Sequence, residues 1–185
     1  MVLAEDTFYP LVAHWLKLQG YDPVITGGQK MLSIPIASLL PGRLSLEPDV
    51  IGLKDGSTLA AIEVKTDGEK MREGLGQCLV YTTAADKVWF ALPEDLCQEI
   101  RSLDFFKFVR LGLLSLRRTV QKVDSVIDET GRMNTTPAQD PGDFRLSTGS
   151  WFVQERIEPG PNYNVDFAGL HAELLRQTKL ALGKH

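Results

Sequence analysis

The chain has 185 residues with 43% apolar content, enough for one main domain with a real core. No apolar run approaches the ~18 residues of a membrane span, and the start MVLAEDTFYP carries acids where a signal peptide would be basic, which points to a soluble, cytoplasmic protein with no membrane partner. A net charge of −4 excludes a nonspecific nucleic-acid coat.

The charge is unevenly placed. Residues 1–100 carry 8 basic and 14 acidic side chains, and residues 101–185 carry 12 and 10. Arg101, Lys107, Arg110, Arg117, Arg118 and Lys122 fall in one stretch against a single acid, Asp104. That stretch reads equally as ordinary solvated surface and as a face that contacts phosphates. Cys78 and Cys97 sit in apolar contexts without metal-ligand spacing and read as reduced packing residues.

In chain order, EDTFYPLVAHWLKLQGY places Phe8, Leu11, Val12, Trp15 and Leu16 at helical spacing and stops at Gly20. Pro10 is tolerated only in a first turn, so the helix should begin near Asp6 or Thr7, with Glu5 at its edge. A short strand is expected near Val24–Ile25, and another apolar stretch near Met31–Ile36, followed by LLPGRLSLE. Residues 49–53 and 58–65 should form a hairpin around Lys54-Asp55-Gly56-Ser57, since Asp-Gly is a strong hairpin turn signal.

A helix should follow, with Met71, Leu75, Cys78, Leu79 and Thr82 on its apolar face and Glu73, Gln77 and Tyr81 on another. KVWFALP reads as a buried strand, PEDLCQEIRSL as a helix opened by Pro93, and FFKFVRLGLLSL as an apolar segment ending in a strand. Residues 128–150 are polar and rich in turn formers, which suggests a long loop. WFVQERI is a short element, and residues 166–182 should form a terminal helix using Phe167, Leu170, Leu174 and Leu175. His14 reads as a packing residue, while His171 and His185 have no evident partner. The expected organisation is an α/β core over residues 1–125, a central mixed sheet flanked by helices, with a C-terminal extension over 126–185.

Within the hairpin, a turn centred on Gly56 makes paired positions sum to 112 and sets Asp49 across from Glu63. A centre half a residue earlier would pair Asp49 with Ile62 instead. Glu63 and Lys65 share one face, and Ile62 and Val64 point to the other. Two carboxylates and an ammonium at the end of a core hairpin are costly unless compensated, and a metal ion is one such compensation. Mg2+ suits the set: carboxylates from Asp49 and Glu63, the Val64 carbonyl, and water. Such an ion would supply an acidified water and screen a phosphate, with Lys65 assisting the nucleophile or the transition state.

Pro48-Asp49, thirteen intervening residues and Glu63-Val64-Lys65 resemble the motif of the PD-(D/E)xK nuclease superfamily, whose members include restriction enzymes, Holliday junction resolvases and Mrr-like nucleases. Pro-Asp and acid-x-Lys each occur once in the chain, on the two arms of one predicted hairpin. The resemblance covers about residues 1–115. It implies a restriction-endonuclease-like fold, an acid on the first helix, here Glu5, and a glutamine with a tyrosine on the helix after the motif, here Gln77 and Tyr81. It also implies an Mg2+-dependent endonuclease or other hydrolase, with Mn2+ as a substitute, acting on nucleic acid, DNA rather than RNA. A homodimer and a monomer both fit. EDTFYPLVAHWLKLQGY and AADKVWFALP are further similar to a group of uncharacterised phosphodiesterases in that superfamily.

Three simpler readings stand beside this one. The fold could serve as a noncatalytic nucleic-acid-binding or assembly domain. Glu63 and Lys65 could be a surface ion pair on an edge strand, uncoupled from Asp49. Glu5 could be a first-turn acid favoured by the helix dipole, Gln77 a solvated polar residue, and Tyr81 a core aromatic with a satisfied hydroxyl.

Overall fold

Alternation along one strand explains how the core divides. In Thr58–Val64, Leu59 and Ala61 point to one side and Ala60, Ile62 and Val64 to the other, and each set belongs to a different buried cluster. A strand buried on both faces requires cover on both, and the chain supplies helices for each. The computed structural model describes residues 3–27, 34–35, 45–119, 125–127, 133–135, 144–146, 149–161 and 169–184.

A 3-10 turn, Glu5–Phe8, leads into helix α1, Tyr9–Leu18. Pro10 lies in the first turn of α1, as its missing N–H requires, so the regular α-helix starts two residues after Thr7. Strands β1 (Asp22–Ile25), β2 (Ile34–Pro35) and β3 (Ser45–Leu46) follow. The hairpin is β4 (Val50–Lys54) and β5 (Thr58–Val64). Asp55 and Gly56 both adopt positive φ, the conformation for which Asp-Gly is selected in tight hairpins.

Helix α2 (Met71–Tyr81), entered through a 3-10 turn at Gly68–Lys70, returns the chain to β6 (Lys87–Pro93). Cys78 and Tyr81 are buried on α2, but Leu79 is 37% exposed and does not belong to the buried face the spacing suggested. One step round the helix from Cys78, Leu79 is turned 100° away from the core.

The expected helix after Pro93 is shorter than the sequence suggests: α3 spans Glu94–Glu99 and Ile100 is extended. The FFKF stretch forms a separate helix, α4 (Asp104–Phe108), which inserts Phe106 into the core before β7 (Gly112–Arg118). Next are β8 (Ser125–Ile127), β9 (Met133–Thr135), β10 (Phe144–Leu146), β11 (Gly149–Ile157) and α5 (Leu170–Ala181).

The expected loop over 128–150 therefore contains β9, β10 and the start of β11; its other residues lie outside the described set, as do Lys122, Phe167, His185 and most of Met31–Ile36. His171, expected to lack a partner, has Nδ1 2.9 Å from the Ala84 carbonyl.

Seven strands form one mixed sheet in the order β1-β4-β5-β6-β7-β11-β10. The β5–β6 and β6–β7 pairs are parallel and the remaining neighbours antiparallel. β10 and β11 extend the same sheet that contains the hairpin. One buried cluster joins α1 to Val50, Ile62, Val64, Trp89 and Leu114. The other joins Cys78 and Tyr81 of α2 and Leu170 and Leu174 of α5 to Ile51, Ala61, Phe90 and Leu113. The architecture is thus α/β, a mixed sheet with helices on both faces. No helix among the described residues is long and apolar enough to cross a membrane.

Candidate active site

The hairpin register runs Lys54↔Thr58 to Val50↔Ile62, positions that sum to 112 throughout. One further step places Asp49 against Glu63, as the turn predicted. Glu63 continues the row Leu59, Ala61 toward α2, so a carboxylate ends an apolar row and is only 1% exposed. Asp49 and Lys65 are buried as well, at 7% and 6%. This burial rules out an exposed ion pair on an edge strand.

The side chains form a connected group. Lys65 Nζ lies 2.5 Å from Glu63 Oε1, 3.5 Å from Glu5 Oε2 and 3.3 Å from the Val64 carbonyl. Tyr81 donates its hydroxyl to Glu63 Oε2 at 3.0 Å, and the Val64 N–H donates to Asp49 Oδ2 at 2.8 Å. Lys65 is held at its backbone by an N–H bond to the Ala91 carbonyl, 3.1 Å. Its stem passes over Gly74 of α2, where an added Cβ would come within 2.6 Å of Lys65 Cγ.

A loop after β1 supports Asp49 from below. The N–H groups of Thr26 and Gly27 both donate to the Asp49 carbonyl at 2.9 Å, and the Thr26 hydroxyl donates to the Pro48 carbonyl. The Tyr9 ring end comes against the Asp49 carboxylate over Gly27.

Electrostatics follow from crowding charge in a dry place. Burial, then the nearby Asp49 charge, pushes the Glu63 carboxyl up to about 7. Burial also raises Asp49, against the opposing pull of the Val64 N–H, Tyr9 and Lys65. Burial alone would lower Lys65, but the Glu63, Asp49 and Glu5 carboxylates outweigh it and raise the ammonium above its ordinary value. Lys65 is consequently a fixed cation near neutral pH, suited to a phosphate oxygen rather than to removing a proton. The Tyr81 hydroxyl is held protonated by burial and by Glu63.

Of the residues the sequence singled out, Asp49, Glu63, Val64, Lys65 and Glu5 come together. Gln77 lies between Gly74 and Tyr81 on the same side of α2, but its Oε1 is buried without a hydrogen-bond partner. Glu73, the remaining residue of that polar row, is exposed. Tyr9, Thr26 and Gly27 were missed.

Among the described residues no group of three or more His, Cys, Asp or Glu could by itself hold a metal ion. A cation here would instead draw on the Asp49 and Glu63 carboxylates, the Val64 carbonyl and water, a donor set magnesium commonly uses. Glu5 Oε1 beside Lys65 is buried without a hydrogen-bond partner, with Lys70 Nζ at 3.7 Å, and Gln77 Oε1 on α2 is buried and likewise without one. A cleft of about 500 Å³ opens beside the group, lined among others by Glu5, Asp6, Tyr9, Thr66 and Lys70.

The basic stretch does not form one face. β5, β6 and β7 run parallel, so Arg117 and Arg118 end on the same sheet edge as Glu63 and Lys65, whereas Arg110 precedes β7 at the opposite edge. Eight residues at ~3.3 Å each separate Arg110 from Arg118 by roughly 25 Å. Arg110 donates to the Pro161 carbonyl, and Arg117 pairs with Glu94 at 2.9 Å and Gln154 at 2.7 Å.

No protein-family model and no curated protein matches the chain. Among solved structures it is similar to the SPO1766 protein of unknown function from Silicibacter pomeroyi. The two share 14% identity over 99% of this chain and 89% of the other, with a TM-score of 0.55. At that identity the likeness concerns the fold.

Proposed function

We propose that the chain is a metal-dependent nuclease that hydrolyses phosphodiester bonds, in DNA rather than RNA. The observation that carries this reading is the burial of Asp49, Glu63 and Lys65 in one hydrogen-bonded group beside an open cleft. Buried like charges are costly to a fold, and sites of that kind cluster where chemistry needs them. With the separate β2–β3 pair set aside, the order α1, β1, hairpin, α2, β6 is one that supports reading the motif as PD-(D/E)xK-like.

In this reading Asp49, Glu63 and the Val64 carbonyl would hold Mg2+ or Mn2+. Such an ion supplies, when bound, a water acidic enough to attack at neutral pH and a counter-charge for phosphate oxygens. Lys65 contributes a fixed positive charge to the non-bridging oxygens of the phosphate, in a site dry enough for that charge to count. Tyr81 keeps the Glu63 carboxylate in place by its hydrogen bond, and Gln77, on the same helix with a buried unpartnered Oε1, would support the metal or water geometry. Glu5 restrains Lys65 on the cleft side.

The experiment is incubation of the purified protein with plasmid, linear, branched and single-stranded DNA and with RNA, in Mg2+, Mn2+ or EDTA. Cleavage in either metal and none in EDTA supports the nuclease reading and identifies the substrate. Binding without cleavage on every substrate would transfer support to a noncatalytic nucleic-acid-binding domain.

A further inference from the structure

Asp49 is gripped differently on its two sides. Oδ2 is taken by the Val64 N–H at 2.8 Å. On the Oδ1 side stands Gly27, whose missing side chain is the point where two groups meet. A Cβ there would lie 2.8 Å from Asp49 Oδ1, 2.4 Å from Tyr9 Cε2 and 2.7 Å from Tyr9 Cζ. The hydroxyl-bearing end of the Tyr9 ring and the carboxylate oxygen therefore share the space above one glycine, close enough to act on each other. Gly27 is anchored in turn by its N–H bond to the Asp49 carbonyl.

Tyr9 is also buried, yet its edge forms part of the cleft wall. Resting on the nuclease reading above, we infer that Tyr9, seated by Gly27, is a positioning residue that fixes the Asp49 carboxylate for the metal. Tyr9 does for Asp49 what Tyr81 does for Glu63, and each carboxylate is oriented from a different helix on opposite sides of the sheet. The identity of residue 27 follows from this: any side chain would displace either the ring or the carboxylate.

The test is calorimetric titration of Mn2+ into wild type, Tyr9→Phe, Asp49→Asn and, as a control, Tyr21→Phe, whose ring packs on Trp89. Loss of an outer partner of a metal ligand typically weakens affinity by roughly 10- to 100-fold. Tyr9→Phe should show a loss in that range with the Tyr21→Phe affinity unchanged. A double-mutant cycle of Tyr9→Phe with Asp49→Ala, which removes the acceptor, read by urea unfolding in EDTA, should show the two positions coupled. That readout needs no metal, and a purely packing role of the ring, which phenylalanine preserves, would not produce it.

Wild-type binding lost in Asp49→Asn but unaltered in Tyr9→Phe would overturn the role of Tyr9 and leave the nuclease reading standing. Absence of Mn2+ binding by the wild type would overturn both. Additive effects in the EDTA cycle would contradict the contact itself.

Discussion

Replacing Glu63 by glutamine isolates the electrostatic cost of the site. The Glu63 carboxyl titrates at about 7 in the fold against an ordinary 4.5. The folded protein therefore holds this proton more tightly than the unfolded chain does. Between those two values the native state binds more protons, so the stability linked to Glu63 is greatest at low pH and falls as pH rises through the window. At about 1.4 kcal/mol per pH unit, the loss above pH 7 amounts to about 3 kcal/mol. Glu63 is 1% exposed, so little of this is screened by solvent.

Glutamine keeps the size and an acceptor for Tyr81 but cannot ionise. Urea unfolding in EDTA at about pH 5 and pH 8 should show wild type losing about 2.5 kcal/mol more than Glu63→Gln between the two, because part of the loss already falls below pH 5. Asp49 is raised in the same direction and coupled to Glu63, so the same comparison made in an Asp49→Asn background separates its share. Equal losses within about 0.5 kcal/mol would refute the reasoning, because they would mean the buried carboxylate is already neutral or well compensated at high pH.

Gly74→Ala should destabilise by about 1–3 kcal/mol despite the better helix propensity of alanine, since the new Cβ would lie 2.6 Å from Lys65 Cγ and 2.8 Å from Phe90 Cε2; urea midpoints read the cost. Tyr81→Phe should cost about 1–3 kcal/mol by leaving Glu63 Oε2 without its hydroxyl partner, with the larger value at high pH, in the same unfolding assay. Saturating Mn2+ should raise the melting temperature more at about pH 8 than at pH 5, because Asp49 and Glu63 must ionise before they ligate; scanning calorimetry separates the two conditions.

The hairpin and its charges were legible because three local signals coincide. Asp55-Gly56 sets the turn, the turn sets the register, and alternation then decides that Glu63 and Lys65 share a face. The support around Asp49 was not legible. Tyr9 reads as one more aromatic on an amphipathic helix, and Thr26-Gly27 reaches Asp49 only through the pairing of β1 with β4, a contact between distant parts of the chain.

β9 and β10 were hidden for another reason: three-residue strands are too short to establish a period, and their polar, turn-forming surroundings outweigh them. The helix after Pro93 was overextended because Leu96, Ile100 and Leu103 continue a helical spacing. The backbone breaks at Ile100, and all three still pack on the core.

The most direct measurement is the cleavage rate on the preferred nucleic acid in Mg2+, for wild type, Lys65→Ala and Asp49→Ala shown to be folded. Both variants should lose activity on the order of a hundred- to a thousand-fold or more. Cleavage by either variant at the wild-type rate, or wild-type cleavage that persists in EDTA, would contradict the assignment of this site to metal-dependent phosphodiester hydrolysis.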